Sequence, residues 1–154
     1  MLPAPDPEAR ADDLQMAFMA TPATVREGLA RMLTMAPLCH LSEDRRATAE
    51  LVLAEVLNNV VEHAYADQAG PVLVSIGQTP QGLCCTVTDR GKAMPGGTVP
   101  EGRCPDPLER ALEDLPEGGF GWHLIRSLTR DLAYARVAGT NRLSFLLPQG
   151  GELS

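Results

Sequence analysis

Hydrophobic residues along the chain fall into two rhythms, and the change from one to the other outlines the elements. Leu14-Gln-Met-Ala-Phe-Met alternates weakly with a period of two and predicts a first strand. Thr21 followed by Pro22 has the form of a helix start, a capping hydroxyl and then proline at the first helical position. That helix is expected to run to about residue 35, ahead of Pro37. Ser42, with Glu43 and Asp44 behind it, opens a second helix expected to continue to about Tyr65 and to end before Gly70-Pro71. Residues 72–77 and 83–89 read as strands around the turn Thr79-Pro-Gln-Gly82. Residues 121–129 are expected to be helical, with closing strands at 132–137 and 142–147 around Gly139-Thr-Asn141. Helices interspersed with antiparallel hairpins predict an α+β fold, a two-layer α/β sandwich rather than a doubly wound sheet.

Proline and glycine crowd residues 90–118, which therefore read as a long loop, with Asp106-Pro-Leu-Glu-Arg-Ala-Leu-Glu as a short helix inside it. A loop of that length within a compact domain is usually functional or mobile. Residues 1–13, rich in proline, alanine and acids, are expected to form a loose tail. The folded domain should then span 14–148, with 149–154 as a C-terminal tail.

At 154 residues the chain suits one domain with a real core, and 44% hydrophobic residues with a mean hydropathy of −0.08 fit a globular protein. A net charge of −7 and a pI near 4.9 argue against direct binding to a nucleic-acid backbone. No apolar run approaches the roughly 18–20 residues of a membrane span, and the N-terminus lacks the form of a signal peptide. A cytoplasmic location is the expectation. Cys39, Cys84, Cys85 and Cys104 form no Cys-x-x-Cys pair, and adjacent Cys84 and Cys85 should face opposite sides of a strand. They read as reduced thiols, with no zinc site and no disulfide framework.

Three segments carry candidate chemistry. In Leu53-Ala-Glu-Val-Leu-Asn-Asn-Val-Val-Glu-His-Ala-Tyr65, Glu55, Asn59 and His63 recur every four residues and line one helix face, beside the apolar sector of Val52, Val60, Leu57 and Val61. A carboxylate there can activate a hydroxyl or water, and an amide oxygen can help to hold Mg²⁺, which needs few protein ligands. A plain solvated face explains the same column. In the second segment, alternation puts Asp89 on the core-facing side with Leu83, Cys85 and Val87. A buried carboxylate is costly unless partnered, and an adenine amino group is a suitable partner. Thr88-Asp-Arg-Gly91 is also readable as an ordinary turn, and Gly91 would let the backbone pass close to a base. In the third, Gly118, Gly119 and Gly121 precede the helical Trp122-His-Leu-Ile125, where backbone N–H groups and the helix dipole suit phosphate. A flexible entry to a helix accounts for those glycines equally well.

Taken together, the order and context of the three segments resemble the nucleotide-binding domain shared by DNA gyrase, histidine kinases and heat-shock chaperone ATPases, the GHKL superfamily. Within it, the short chain, the Asn-x-x-x-His-Ala-Tyr run and Gly-Gly-Phe-Gly look like the bacterial anti-sigma-factor serine kinases. The resemblance covers roughly residues 14–148. It implies a Bergerat-type fold, with a mixed, mostly antiparallel sheet, helices on one face, and an ATP lid at about 90–118. It further implies ATP and Mg²⁺ as cofactors, Glu55 as catalytic base and Asn59 as the metal-binding amide. Asp89 would be the adenine-reading acid, and His63, Gly91, Gly118, Gly119 and Gly121 would complete the nucleotide site. The family's further glycine two residues after Gly91 is Ala93 here, and Trp122 stands where the family often has leucine. Its function would be that of an anti-sigma factor and serine/threonine kinase. Its partners would be a sigma factor and a STAS-domain antagonist, and it would form a homodimer. A different class of protein also fits: an ATP-binding module that sequesters a partner without phosphorylating it.

Overall fold

The computed structural model describes residues 13–66, 68–99 and 119–149. Strand β1 (Leu14–Ala20) leads into helix α1 (Pro22–Met32), and a 3₁₀ turn (Leu38–His40) precedes helix α2 (Glu43–Asn59). A π-helical turn (Val60–Ala64) extends α2. The hairpin β2 (Gly70–Thr79) and β3 (Gly82–Asp89) follows, then a 3₁₀ turn (Pro95–Gly97), helix α3 (Gly119–Leu128) and the hairpin β4 (Arg130–Val137) and β5 (Thr140–Pro148). The sheet order is β1-β2-β3-β5-β4, and all four pairings are antiparallel. This is the α+β sandwich that the two rhythms predict. The expected short helix within 106–113 and the tails at 1–12 and 150–154 lie outside the described residues.

Local chemistry sets the element ends. Thr21 accepts from the Thr24 backbone while Thr24 Oγ1 accepts from the Thr21 N–H, a reciprocal cap that satisfies two donors at the start of α1. The helix stops at Met32, three residues short of the expected end. There the ladder tightens, with Thr34 N and Thr34 Oγ1 both donating to the Arg31 carbonyl. Ser42 caps α2 through the Arg45 N–H.

One apolar core lies between the helices and one face of the sheet. Val72, Val74 and Ile76 of β2, Leu83, Cys85 and Val87 of β3, and Leu143, Phe145 and Leu147 of β5 meet Val52, Leu53, Val56 and Leu57 of α2. Trp122 and Ile125 bring α3 onto the same cluster, and Val25, Leu29 and Met32 bring α1. Period-two alternation on three central strands and period-3.6 repeats on the helices thus bury complementary faces. Two inward series end in polar residues: that of β3 finishes with Asp89 after Leu83, Cys85 and Val87, and that of β5 starts at Asn141, before Leu143, Phe145 and Leu147. The β3–β5 register sets Asp89 directly opposite Asn141.

A candidate nucleotide site between two helices and the ends of two strands

Helix α2 buries Val52, Leu53, Val56 and Leu57, and the π turn buries Val60, which leaves Glu55 and Asn59 half-buried at the border of that apolar face. The Glu55 carboxylate lies against the first turn of α3. A Cβ built on Gly121 would stand 2.7 Å from Glu55 Oε2, so the absence of a side chain there lets the helix start close on the acid. Two residues distant in sequence, one from each motif, thereby come into contact range. Among the described residues the buried amide Nδ2 of Asn59 has no hydrogen-bond partner. An orphaned buried donor is uncommon in a folded protein.

Asp89 is 6% exposed. Its Oδ1 accepts from the Gly91 N–H at 2.8 Å and from Asn141 Nδ2 at 2.8 Å, and neither bond involves Oδ2. Burial pushes the carboxyl above its ordinary value, and the bonds from Asn141 and Gly91 and the nearby Arg136 guanidinium pull the other way. A carboxylate in this state gains from a further donor at its open oxygen, which is what a ligand amino group offers.

Around this acid the backbone is tightly tied. Lys92 N donates to the Ala64 carbonyl at 2.9 Å, and a Cβ on Gly91 would come within 2.3 Å of that same oxygen. Gly91 is therefore required by the end of the α2 extension, a reason different from close approach to a base. Tyr65 Oη donates to Pro71 O and accepts from the Arg90 N–H, both at 2.7 Å, joining the start of β2 to the end of β3. Burial raises the Tyr65 phenol above its usual value, an effect opposed by the Arg90 N–H bond and reinforced by the Asp89 carboxylate. Further along, Met94 N donates to Tyr134 Oη at 3.1 Å, and Arg126 Nη2 reaches the Val99 carbonyl at 2.9 Å. The described beginning of the expected lid is thus fastened to α3 and β4.

The structure sets Gly121 of α3 against Glu55 of α2, one helical turn before Asn59, and it places Asp89 at the end of β3 with Gly91 against Ala64 at the end of the α2 extension. Gly119 begins α3, and Gly118 lies outside the described residues. His63 stands apart, with 62% of its side chain exposed and its Nε2 3.9 Å from Glu62. The π turn explains this: its Tyr65 N to Val60 O bond encloses an extra residue, so the four-residue column ends at Asn59. Sequence reasoning passed over Asn141, Tyr134, Arg136 and the role of Tyr65. For Asn141 a signal existed, a polar residue heading an inward-facing apolar series, just as Asp89 ends one.

The half-buried acid on one helix, the glycine-opened second helix and the buried carboxylate at a strand end are features suited to a nucleotide-binding ATPase domain. The chain belongs to the histidine kinase-like ATPase domain family, whose profile matches residues 18–146. It is 30% identical over 137 residues to the serine/threonine-protein kinase BtrW of Bordetella bronchiseptica, covering 88% of this chain and 92% of that protein. The serine-protein kinase RsbW of Bacillus mycoides is 27% identical over 117 residues, 74% of this chain and 73% of the relative. RsbW of Bacillus thuringiensis is 26% identical over the same length. Family membership implies use of ATP, and the relatives are named as protein kinases. Among the described residues no helix is long and apolar enough to cross a membrane.

Proposed function

We propose that the chain is an ATP-dependent serine/threonine kinase and anti-sigma factor that phosphorylates a STAS-domain antagonist and thereby controls a sigma factor. The observation that carries the kinase reading is Glu55, a half-buried carboxylate set against the glycine start of α3. In this reading the adenine amino group donates to Asp89 Oδ2, and the phosphates lie along Gly118, Gly119 and Gly121 at the N-terminus of α3. Asn59 offers its amide oxygen to the cation, and the buried, unbonded Nδ2 is consistent with a side chain reserved for a ligand. Mg²⁺, bound with the nucleotide, supplies neutralisation of charge on the phosphate oxygens.

Glu55 takes the proton of the substrate serine as that oxygen forms its bond to the γ-phosphorus. The bond from the γ-phosphorus to the bridging oxygen breaks, and ADP leaves with the electron pair. The substrate, the sigma factor, a homodimeric state and a cytoplasmic setting are drawn from the family likeness, supported by relatives named as serine-protein kinases. The net charge of −7 favours control through protein partners over direct contact with nucleic acid.

Transfer of labelled γ-phosphate to a purified STAS antagonist tests the proposal. Glu55→Ala should keep ATP affinity and lose transfer by about 10²–10⁴-fold. Full transfer by that variant would remove Glu55 from the mechanism. No transfer by the wild type, with ATP and partner both bound, would favour a sequestering module without kinase activity.

A further inference from the structure

The amide of Asn141 is 4% exposed, and the groups around it fix which way it points. Arg136 Nη1 lies 2.7 Å from Asn141 Oδ1, and a guanidinium can only donate, so the amide oxygen must face β4. Tyr134 Oη also donates to that oxygen, which leaves its own lone pair for the Met94 N–H. Asn141 Nδ2 therefore faces the other way. There it meets three acceptors: Asp89 Oδ1 at 2.8 Å, the Lys92 carbonyl at 2.9 Å and the Gly91 carbonyl at 3.3 Å. Two hydrogens serve three oxygens, and Arg136 Nη1 gives the Gly91 carbonyl another at 2.9 Å. Everything that could rotate this amide is opposed by a donor or an acceptor of the wrong kind.

The consequence reaches Asp89. With Gly91 N and Asn141 Nδ2 both donating to Oδ1, that oxygen cannot carry a proton, and any proton Asp89 acquires must sit on Oδ2. The state of Oδ2 decides what the site accepts: ionised, it takes an amino group; protonated, it donates to a carbonyl. We propose that Asn141, held from behind by Arg136 and Tyr134, is the positioning residue that keeps Asp89 Oδ2 a bare acceptor and so selects a 6-amino purine over a 6-oxo purine. This rests on the reading that Asp89 meets the nucleobase.

The other groups facing Asp89 cannot replace it. Arg136 contributes charge from β4 and Tyr65 lies at the end of the α2 extension. Tyr134 is occupied with Asn141 and Met94, Arg90 and Lys92 follow on the same chain, and β2 presents only Val72 across the strand. Removing the Asn141 donor leaves burial acting on the carboxylate with one hydrogen bond fewer.

The test is the ratio of dissociation constants for ITP and ATP, measured by calorimetry from pH 6 to pH 8 on the full chain. The triphosphate titrates alike in both nucleotides and drops out of the ratio. Wild type should prefer ATP by at least about tenfold at every pH, the worth of one charge-assisted bond. In Asn141→Ala the preference should fall about tenfold below that of wild type, and the loss should be greatest at the acid end of the range, where protonation of Oδ2 is favoured. Asn141→Leu, which is of similar size and has no donor, gives the same readout if the alanine variant does not fold. A ratio equal to that of wild type at every pH, even with both nucleotides weakened, would reduce Asn141 to a packing role and overturn the proposal. If wild type binds ITP as well as ATP, and Asp89→Asn changes neither, the nucleobase reading fails and the proposal falls with it. If Asp89→Asn abolishes the preference while Asn141→Ala leaves it intact, the reading stands and the proposal alone is wrong.

Discussion

Replacing Asp89 by asparagine separates folding from recognition at a single atom. Both internal bonds to Asp89 arrive from donors, the Gly91 N–H and Asn141 Nδ2, and both end on Oδ1. An asparagine side chain would keep them with its amide oxygen in that place, so its NH₂ must take the position of Oδ2. The ligand's amino group would then meet a donor in place of a charged acceptor. Losing a hydrogen bond to an ionised partner costs about 1.5–3 kcal/mol, so ATP affinity should fall roughly 10- to 150-fold. The effect on stability has the opposite sign. Burial raises the carboxyl above 3.8, so the folded state binds its proton more tightly than the unfolded chain. Stability therefore falls as pH rises from the ordinary carboxylate value through the raised one, and the whole penalty is present above it. Asn carries no such penalty, so at pH 7 the variant should match or exceed wild type in urea unfolding. The difference should vanish at pH values below the unfolded carboxylate. Calorimetric titration with Mg-ATP and paired urea melts would read both effects. Equal ATP affinity, or a variant clearly less stable than wild type at pH 7, would refute the reasoning.

Other consequences follow from single contacts. Asn59→Ala should weaken ATP binding in Mg²⁺ but not in EDTA, with little loss of stability, because the amide nitrogen removed makes no bond among the described residues; an equal loss in EDTA would remove Asn59 from the cation site. Gly91→Ala would drive a Cβ to within 2.3 Å of the Ala64 carbonyl and should cost about 1–3 kcal/mol in denaturant melts. An unchanged midpoint would contradict that close approach. Cys84 is exposed and Cys85 buried, with its thiol pushed up strongly by burial. Alkylation of native protein followed by mass spectrometry should label Cys84 and spare Cys85, and equal labelling would contradict the strand's facing.

How much of this was readable in advance depends on the range over which each contact acts. The β2–β3 hairpin follows from alternation and a turn sequence, and the inward facing of Asp89 follows from the same period. Helix α2 announces itself through Ser42 and a long apolar stripe. Where local bonding overrides period, the reading drifts: Thr34 bonds back to the Arg31 carbonyl and α1 ends early. The Val60–Ala64 turn closes with i→i+5 bonding and moves His63 off the Glu55–Asn59 column. No composition rule marks a π turn. Contacts between elements were the hardest to foresee. That Gly121 would rest on Glu55, or that Asn141 would pair with Asp89 at a distance of 52 residues, depends on packing and sheet register that neither segment encodes alone.

A crystal structure of the chain with Mg²⁺ and a non-hydrolysable ATP analogue would test the central claim most directly. The account predicts the adenine amino group within about 3 Å of Asp89 Oδ2, and phosphate oxygens at a similar distance from the N–H groups that open α3. The γ-phosphate should lie beside Glu55, with Asn59 on the cation. A base bound away from Asp89, or phosphates that do not touch the start of α3, would contradict it.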